Sequence, residues 1–118
     1  MYDKDLATRI NRQLAGLFDI EETRMFGGIA YMLNGNMCLA IWESFLVLRL
    51  GKDGAAMLIA HDPHAGVFDL AGKALGYWVK IGPGGLLENS QLQAYVEKAG
   101  LLTGSLLHKP KKQKKPIS

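Results

Sequence analysis

Apolar residues recur at helical spacing at the start of the chain. Leu6, Ile10, Leu14 and Leu17 fall three or four positions apart, with Arg9, Arg12 and Gln13 between them. That spacing puts the apolar side chains on one stripe and the charged ones opposite it, so an amphipathic helix is expected here. Asp5 supplies an acidic first turn, and the helix should end near Gly16.

The pattern then changes to strands. Residues 29–33, the pair Asn34-Gly35, and residues 36–42 read as a β-hairpin, because Asn-Gly suits a two-residue turn whose central positions need positive φ. A polar break at Glu43-Ser44 leads into a third strand over residues 45–50, which Gly51 ends. Asp53 can cap a short helix through Ala60, and this helix must stop before Pro63, since the residue preceding a proline resists helical geometry. Residues 67–70 and 77–81 give two further strands, the second closed by Gly82-Pro83-Gly84-Gly85. Ser90 and Gln93 have capping-box spacing; Leu92, Tyr95, Val96 and Ala99 line one face of the helix they would open, and Gly100 is placed to end it. Residues 101–107 form a last apolar segment. The element order is helix, three strands, helix, two strands, helix. Strands joined by tight turns imply an antiparallel sheet, so the expected fold is α+β, in two layers, with helices covering one face of the sheet.

An uninterrupted hairpin register would set Leu33, Tyr31 and Ile29 opposite Asn36, Cys38 and Ala40, on the side that also carries Trp42. Ala30, Met32, Met37, Leu39 and Ile41 would occupy the other side. Both sides are then apolar, and the third strand repeats this with Leu46, Leu48 and Leu50 against Phe45, Val47 and Arg49. A sheet with one wet face should alternate instead. Either residues 101–107 fold over the second face or a partner covers it, most simply a second copy of the chain. A homodimer is therefore expected. The candidate interaction face comprises Trp42, Phe45, Val47, Arg49 and Tyr77.

Length and charge narrow the class. A chain of 118 residues suffices for one domain. Residues 1–107 should form it, followed by a disordered lysine-rich tail over 108–118. Five lysines stand in that tail (Lys109, Lys111, Lys112, Lys114 and Lys115) without an acid; removing them from the net charge of +3 leaves −2 for the body. The basic character thus belongs to the tail, where non-specific nucleic-acid contact would be weak and salt-sensitive. No stacking aromatic is interleaved with the lysines. No apolar stretch approaches a membrane span, the N-terminus lacks an apolar signal core, and the single cysteine cannot form an internal disulfide. A cytoplasmic protein without membrane association is expected.

Candidate chemistry is sparse. His61-Asp62-Pro63-His64 is the only cluster of ligand-type side chains, but Pro63 prevents a helical His pair and no further ligand is evident, so no metal is assigned. Cys38 stands mid-strand between Met37 and Leu39, the setting of a buried thiol rather than of an activated nucleophile. Gly27-Gly28 and Gly84-Gly85 complete no phosphate-loop pattern; the first pair suits a bend into the hairpin, and the second could receive an anion on free amides. Glu21-Glu22 reads as a solvated loop pair. No nucleophile, base and acid fall into a recognisable arrangement, so no catalytic residue and no cofactor is assigned.

Met25-Phe26-Gly27-Gly28, the apolar strand and Asn34-Gly35 turn that follow, Met37, and Leu46-Val47-Leu48-Arg49 together resemble the N-terminal domain of TfoX/Sxy competence regulators. Gly72-Lys73, Tyr77-Trp78-Val79 and Ser105-Leu106-Leu107 ahead of the lysines are similar to it as well. The resemblance runs from about Leu6 to Lys112. It implies a curved antiparallel sheet in the element order above, an arrangement shared with type III secretion chaperones. It also implies a regulator-like role, since the family is named for positive control of DNA-uptake genes in bacteria. The longer regulators carry a second, C-terminal domain, whereas this sequence runs into the lysine tail.

Three functions follow as expectations. The first is a non-enzymatic regulatory or protein-interaction domain acting through the sheet face. The second is a nucleic-acid accessory protein using the tail. The third is a small-ligand or enzymatic domain with a cleft near Arg49, Tyr77 and Gly84-Gly85.

Overall fold

Asp3 sets the start of the first helix. Its Oδ1 accepts from the amides of Asp5 at 2.9 Å and Leu6 at 3.1 Å, which satisfies two of the donors a helix start leaves open. This helix, α1, runs Lys4–Leu14 and buries Leu6, Ile10 and Leu14 of the expected stripe, together with Ala7. The structure, a computed structural model, describes residues 2–15, 20–25, 27–33, 35–70 and 72–104. Gly16, Leu17, Phe26, Asn34, residues 105–107 and the tail lysines 109–115 of the sequence reading lie outside them.

Six strands follow: β1 (Ile20–Met25), β2 (Gly28–Leu33), β3 (Asn36–Trp42), β4 (Phe45–Arg49), β5 (Ala65–Leu70) and β6 (Lys73–Ile81). They form one antiparallel sheet in the order β1-β2-β3-β4-β6-β5. α2 (Gly51–His61) joins β4 to β5, and α3 (Asn89–Gly104) follows β6 after a short 3-10 turn at Pro83–Leu86. The fold is α+β with a curved sheet, as expected, with one strand more than the hydrophobic pattern reveals. That strand is β1. Its sequence, Ile-Glu-Glu-Thr-Arg-Met, lies at the sheet edge, and its residues from Glu21 to Arg24 are exposed, so nothing forces an apolar alternation on it. Glu21-Glu22 is thus part of a strand and not of a loop.

Two rows of side chains run across the helix side of the sheet. Ile29, Ile41, Leu46, Ile81 and Ala65 are successive cross-strand neighbours, and so are Tyr31, Leu39, Leu48, Val79 and Val67. α3 packs over β2, β3 and β4, α2 packs over β6 and β5, and α1 packs against α3. α3 meets the sheet with Leu92, Tyr95, Val96, Ala99, Gly100 and Thr103, one continuous helical stripe. Residues 101–104 are its last turn, so this part of the final apolar segment extends the helix and does not cross to the other side of the sheet.

The expected hairpin register holds only at its tip. Leu33 pairs Asn36 and Met32 pairs Met37, but Tyr31 then pairs Leu39 and Ile29 pairs Ile41, because a bulge intervenes at Cys38. One extra residue on β3 shifts every later partner by one and turns Cys38 toward the helix side, where it is fully buried with Leu39 and Ile41. Much of the apolar excess inferred from an unbroken alternation is therefore absorbed by one core.

The caps also differ from expectation. α2 begins at Gly51, whose φ is +76°, and Asp53 lies within its first turn without capping it. α3 begins at Asn89, and the preceding amide, that of Glu88, donates to Gln91 Oε1 at 3.1 Å. This is half of a capping box, two residues earlier than the Ser90–Gln93 spacing suggests. Gln93 instead donates through Nε2 to Glu97 Oε2 at 3.0 Å.

Candidate functional site

All three described helices lie on one side, so among the described residues no helix covers the other side of the sheet. Its central row reads Thr23, Ala30, Ala40, Val47, Lys80 and Gly66 from edge to edge. The middle members are small, and larger residues flank them. Trp42 on β3 pairs Phe45 on β4, and Arg49 on β4 pairs Trp78 on β6.

These larger side chains close over the row. The rings of Trp42 and Phe68 meet edge to face at 5.8 Å between centroids and 79° between planes. β4 and β6 lie between their strands, so the two rings reach toward each other across half the sheet. Phe68 stands at a register shift in the β5–β6 pairing, between Val67 and Asp69. Lys80 Nζ lies 4.6 Å from the centroid of the Phe45 ring, and the Arg49 guanidinium 5.6 Å from that of Trp78. Each cation rests on an aromatic ring.

The sequence-predicted face is only partly assembled by this arrangement. Trp42, Phe45 and Arg49 stand together on the outer side and are half-buried. Val47 shares that side but is 1% exposed, so it belongs to a shallow core and not to a free surface. Tyr77 is 58% exposed but lies on the opposite side of β6, in phase with Val79 and Ile81; its carbonyl accepts from the Leu50 amide at 2.9 Å. Trp78, Lys80 and Phe68 belong to the outer face and were missed. The signal for Trp78 and Lys80 was their strand phase, shared with Arg49 and Val47 once β4 and β6 are paired. The bare apolar face expected from sequence is thus replaced by an aromatic–cationic one, largely self-shielded.

The glycine pair of the Met-Phe-Gly-Gly motif has a backbone explanation. Gly27 has φ +76°, a conformation L side chains rarely adopt. Gly28 is buried at the start of β2, and a Cβ there would overlap the carbonyl oxygen of Ile41 and lie 3.3 Å from its carbon. The two glycines let the chain turn and then press β2 against β3.

The remaining candidates are absorbed into structure. Asp62 Oδ1 accepts from the His64 amide at 2.8 Å, and Asp62 Oδ2 accepts from the Tyr95 hydroxyl at 2.5 Å, which ties the α2–β5 turn to α3. Burial opposes ionisation of Asp62, but these two bonds and the charge of His64 outweigh it and hold the carboxyl below its usual range. The His64 ring packs on Gly84 and Gly85; a Cβ at position 85 would lie 2.8 Å from His64 Cβ, so this glycine pair receives a side chain and not an anion. No group of three or more His, Cys, Asp or Glu capable of holding a metal occurs among the described residues. Burial pushes the Cys38 thiol up, and weaker effects of Thr103 and Arg49 offset this only in part. Tyr31 is fully buried with no hydrogen-bond partner for its hydroxyl; burial first, then the charges of Glu22 and Tyr2, raise its pKa well above the ordinary tyrosine value. No described helix is long and apolar enough to cross a membrane.

Compared with known families, residues 12–100 match the model of the TfoX N-terminal domain, three-quarters of the chain, from the last turn of α1 through most of α3. No curated protein matches the sequence.

Proposed function

The chain belongs to the TfoX N-terminal domain family, and on that premise we propose that it is a regulatory domain of competence-regulator type that acts by docking and not by catalysis. Its docking surface is the outer face of the sheet, and its first partner is a second copy of the same chain.

The observation that supports this reading is the chemistry of that face. Trp42, Phe45, Trp78, Arg49 and Lys80 are half-buried, held in ring and cation contacts, and presented on a sheet surface that no described helix covers. Tryptophan and arginine are the residues most enriched where interfaces gain their affinity, because each offers a large desolvated contact with a polar end. Rings fixed by neighbours lose little further freedom on binding. A two-fold pairing would place this surface against itself, so that cations of one copy could meet aromatic faces of the other.

Charge reversal tests the proposal without opening the core. Arg49→Glu and Lys80→Glu act on half-buried side chains of the outer face, away from the helix-side core, and should leave the circular dichroism spectrum unchanged. Sedimentation velocity of the wild-type chain at tens of micromolar should show a dimer, with both variants shifted to monomer. A monomeric wild type at millimolar concentration, or variants that dimerise as well as wild type, would remove the outer face from this role. Nucleic-acid contact through the lysine tail is the second reading. It predicts a salt-dependent affinity for DNA or RNA that disappears on deleting residues 109–118, with the oligomeric state unaffected.

A further inference from the structure

A second surface, on the helix side and away from the docking face, has chemistry that the docking proposal does not use. Between α1 and the start of α3 lies an open cleft of about 410 Å³, lined by Arg9, Arg12, Gln13, Ala15, Asn89 and Gln93. Its walls are held in place from both helices. Arg9 Nε donates to Asn89 Oδ1 at 3.2 Å, and Gln13 Nε2 donates to the Asn89 carbonyl at 3.1 Å. Among the described residues the lining carries two positive charges and no negative one, and the first turn of α3 contributes no acid. The Glu97 carboxylate accepts from Nε2 of Gln93, a lining residue. Neither arginine forms an ion pair among the described residues.

Two polar atoms of this cleft are left over. Arg9 Nη2, a donor, and Gln13 Oε1, an acceptor, are both shielded from solvent and have no hydrogen-bond partner. Unpaired buried polar atoms are rare in folded proteins because each loses its water without a replacement, so each calls for an explanation. The pair asks for complementary groups from one visitor: an anionic oxygen for the guanidinium and a hydroxyl hydrogen for the amide oxygen. A sulfate meets the first demand and not the second, and a hydroxylated monocarboxylate meets both but brings one negative charge to a lining with two arginines, where a phosphate dianion brings two. A phosphate ester bearing a hydroxyl meets both, and the planar fork of arginine matches phosphate oxygens. The cleft volume is within the range of small-molecule sites.

We infer that the α1–α3 cleft binds a small hydroxylated phosphate ester, the half-buried Arg9 and Gln13 side chains turning outward so that Arg9 and Arg12 hold the phosphate and Gln13 Oε1 accepts from a hydroxyl. The site is independent of the outer sheet face, so it would let a metabolite report on this domain without occupying its docking surface.

Amide chemical-shift titration of the full chain tests this, with inorganic phosphate, sulfate and glycerol 3-phosphate as probes at matched ionic strength, and chloride as the reference. Phosphate, which keeps one O–H at neutral pH, should give saturable shifts at Arg9, Gln13 and Asn89. Sulfate, which has none, should bind several-fold more weakly, and glycerol 3-phosphate more tightly than phosphate. Arg12→Gln, at an exposed position, and Arg9→Gln should each weaken binding about tenfold, the loss of one charge-assisted contact. Arg24→Gln on β1 should leave it unchanged. Shifts that do not saturate, that chloride reproduces, that sulfate matches, or that persist in Arg12→Gln would overturn the assignment. So would a crystal structure grown with phosphate in which one water bridges Arg9 Nη2 and Gln13 Oε1.

Discussion

Replacing Gly28 by alanine should be among the most damaging single-methyl changes available in this protein. The added Cβ would overlap the carbonyl oxygen of Ile41, and its next neighbours are the carbonyl carbon of Ile41 at 3.3 Å and the Cα of Trp42 at 3.5 Å. All three are backbone atoms, so no side-chain rotation can relieve the contact. The strands must separate locally, and the adjacent pair Ile29–Ile41 belongs to the central core row. Overpacking of this kind costs roughly 2–4 kcal/mol, and a shift of about 10–15 °C in Tm is expected for a domain of this size. Two other glycines calibrate the reading. Gly27→Ala meets a positive φ of 76° and should cost roughly 1–2 kcal/mol. Gly76→Ala meets no atom within 4 Å and should change stability by no more than about 0.5 kcal/mol. Urea denaturation followed by tryptophan fluorescence measures all three. If Gly28→Ala unfolds within about 0.5 kcal/mol of wild type, the packing account of the Met-Phe-Gly-Gly glycines is wrong, and a functional role for them gains ground.

Further outcomes follow from particular contacts. Tyr95→Phe should remove about 1 kcal/mol at neutral pH, by loss of the bond to Asp62 at a partly solvated carboxylate. Because the folded Asp62 pKa is depressed, its contribution is fully present above the ordinary carboxylate pKa and is lost as pH falls through the folded value; the difference between wild type and Tyr95→Phe should therefore shrink below about pH 4 in acid denaturation curves. Glu43→Gly should stabilise the chain by roughly 0.5–1 kcal/mol in the same urea assay, since Glu43 holds a positive φ of 57° in the β3–β4 turn. Val47→Ala should cost about 2 kcal/mol and Val47→Asp should prevent folding, because this side chain is 1% exposed; a folded Val47→Asp would mean that the outer face is open. Cys38 should react with a thiol reagent only as fast as the native state opens, being fully buried with its pKa raised; immediate stoichiometric labelling of the folded protein would contradict its placement.

How much of this was legible in the sequence depended on which side chains had to be apolar. α1 and α3 are amphipathic against one core, so Leu6, Ile10 and Leu14, and Leu92, Tyr95, Val96 and Ala99, announce both helices. β1 faces solvent along an edge, and an exposed edge strand can be charged without penalty, so Glu21, Glu22 and Arg24 conceal it. The bulge at Cys38 is invisible to any strict alternation; one unpaired residue reversed the assignment of faces along β3 and made the sheet look more apolar on its outer side than it is. The outer face was half legible for the same reason. Trp42, Phe45 and Arg49 are adjacent across neighbouring strands and were grouped from local register. Phe68 reaches Trp42 across two intervening strands, a contact that depends on how β5 closes the sheet and that no sequence spacing encodes. The arginine cleft combines residues 9–15 with residues 89–93 and had no local signature either.

Isotope-filtered nuclear Overhauser spectroscopy on an equimolar mixture of labelled and unlabelled chains tests the docking account most directly. The account predicts intermolecular contacts at Trp42, Phe45, Trp78 and the side-chain methylenes of Lys80 and Arg49, and none along α2 or α3. Intermolecular contacts confined to the helix side, or none at millimolar concentration, would contradict it.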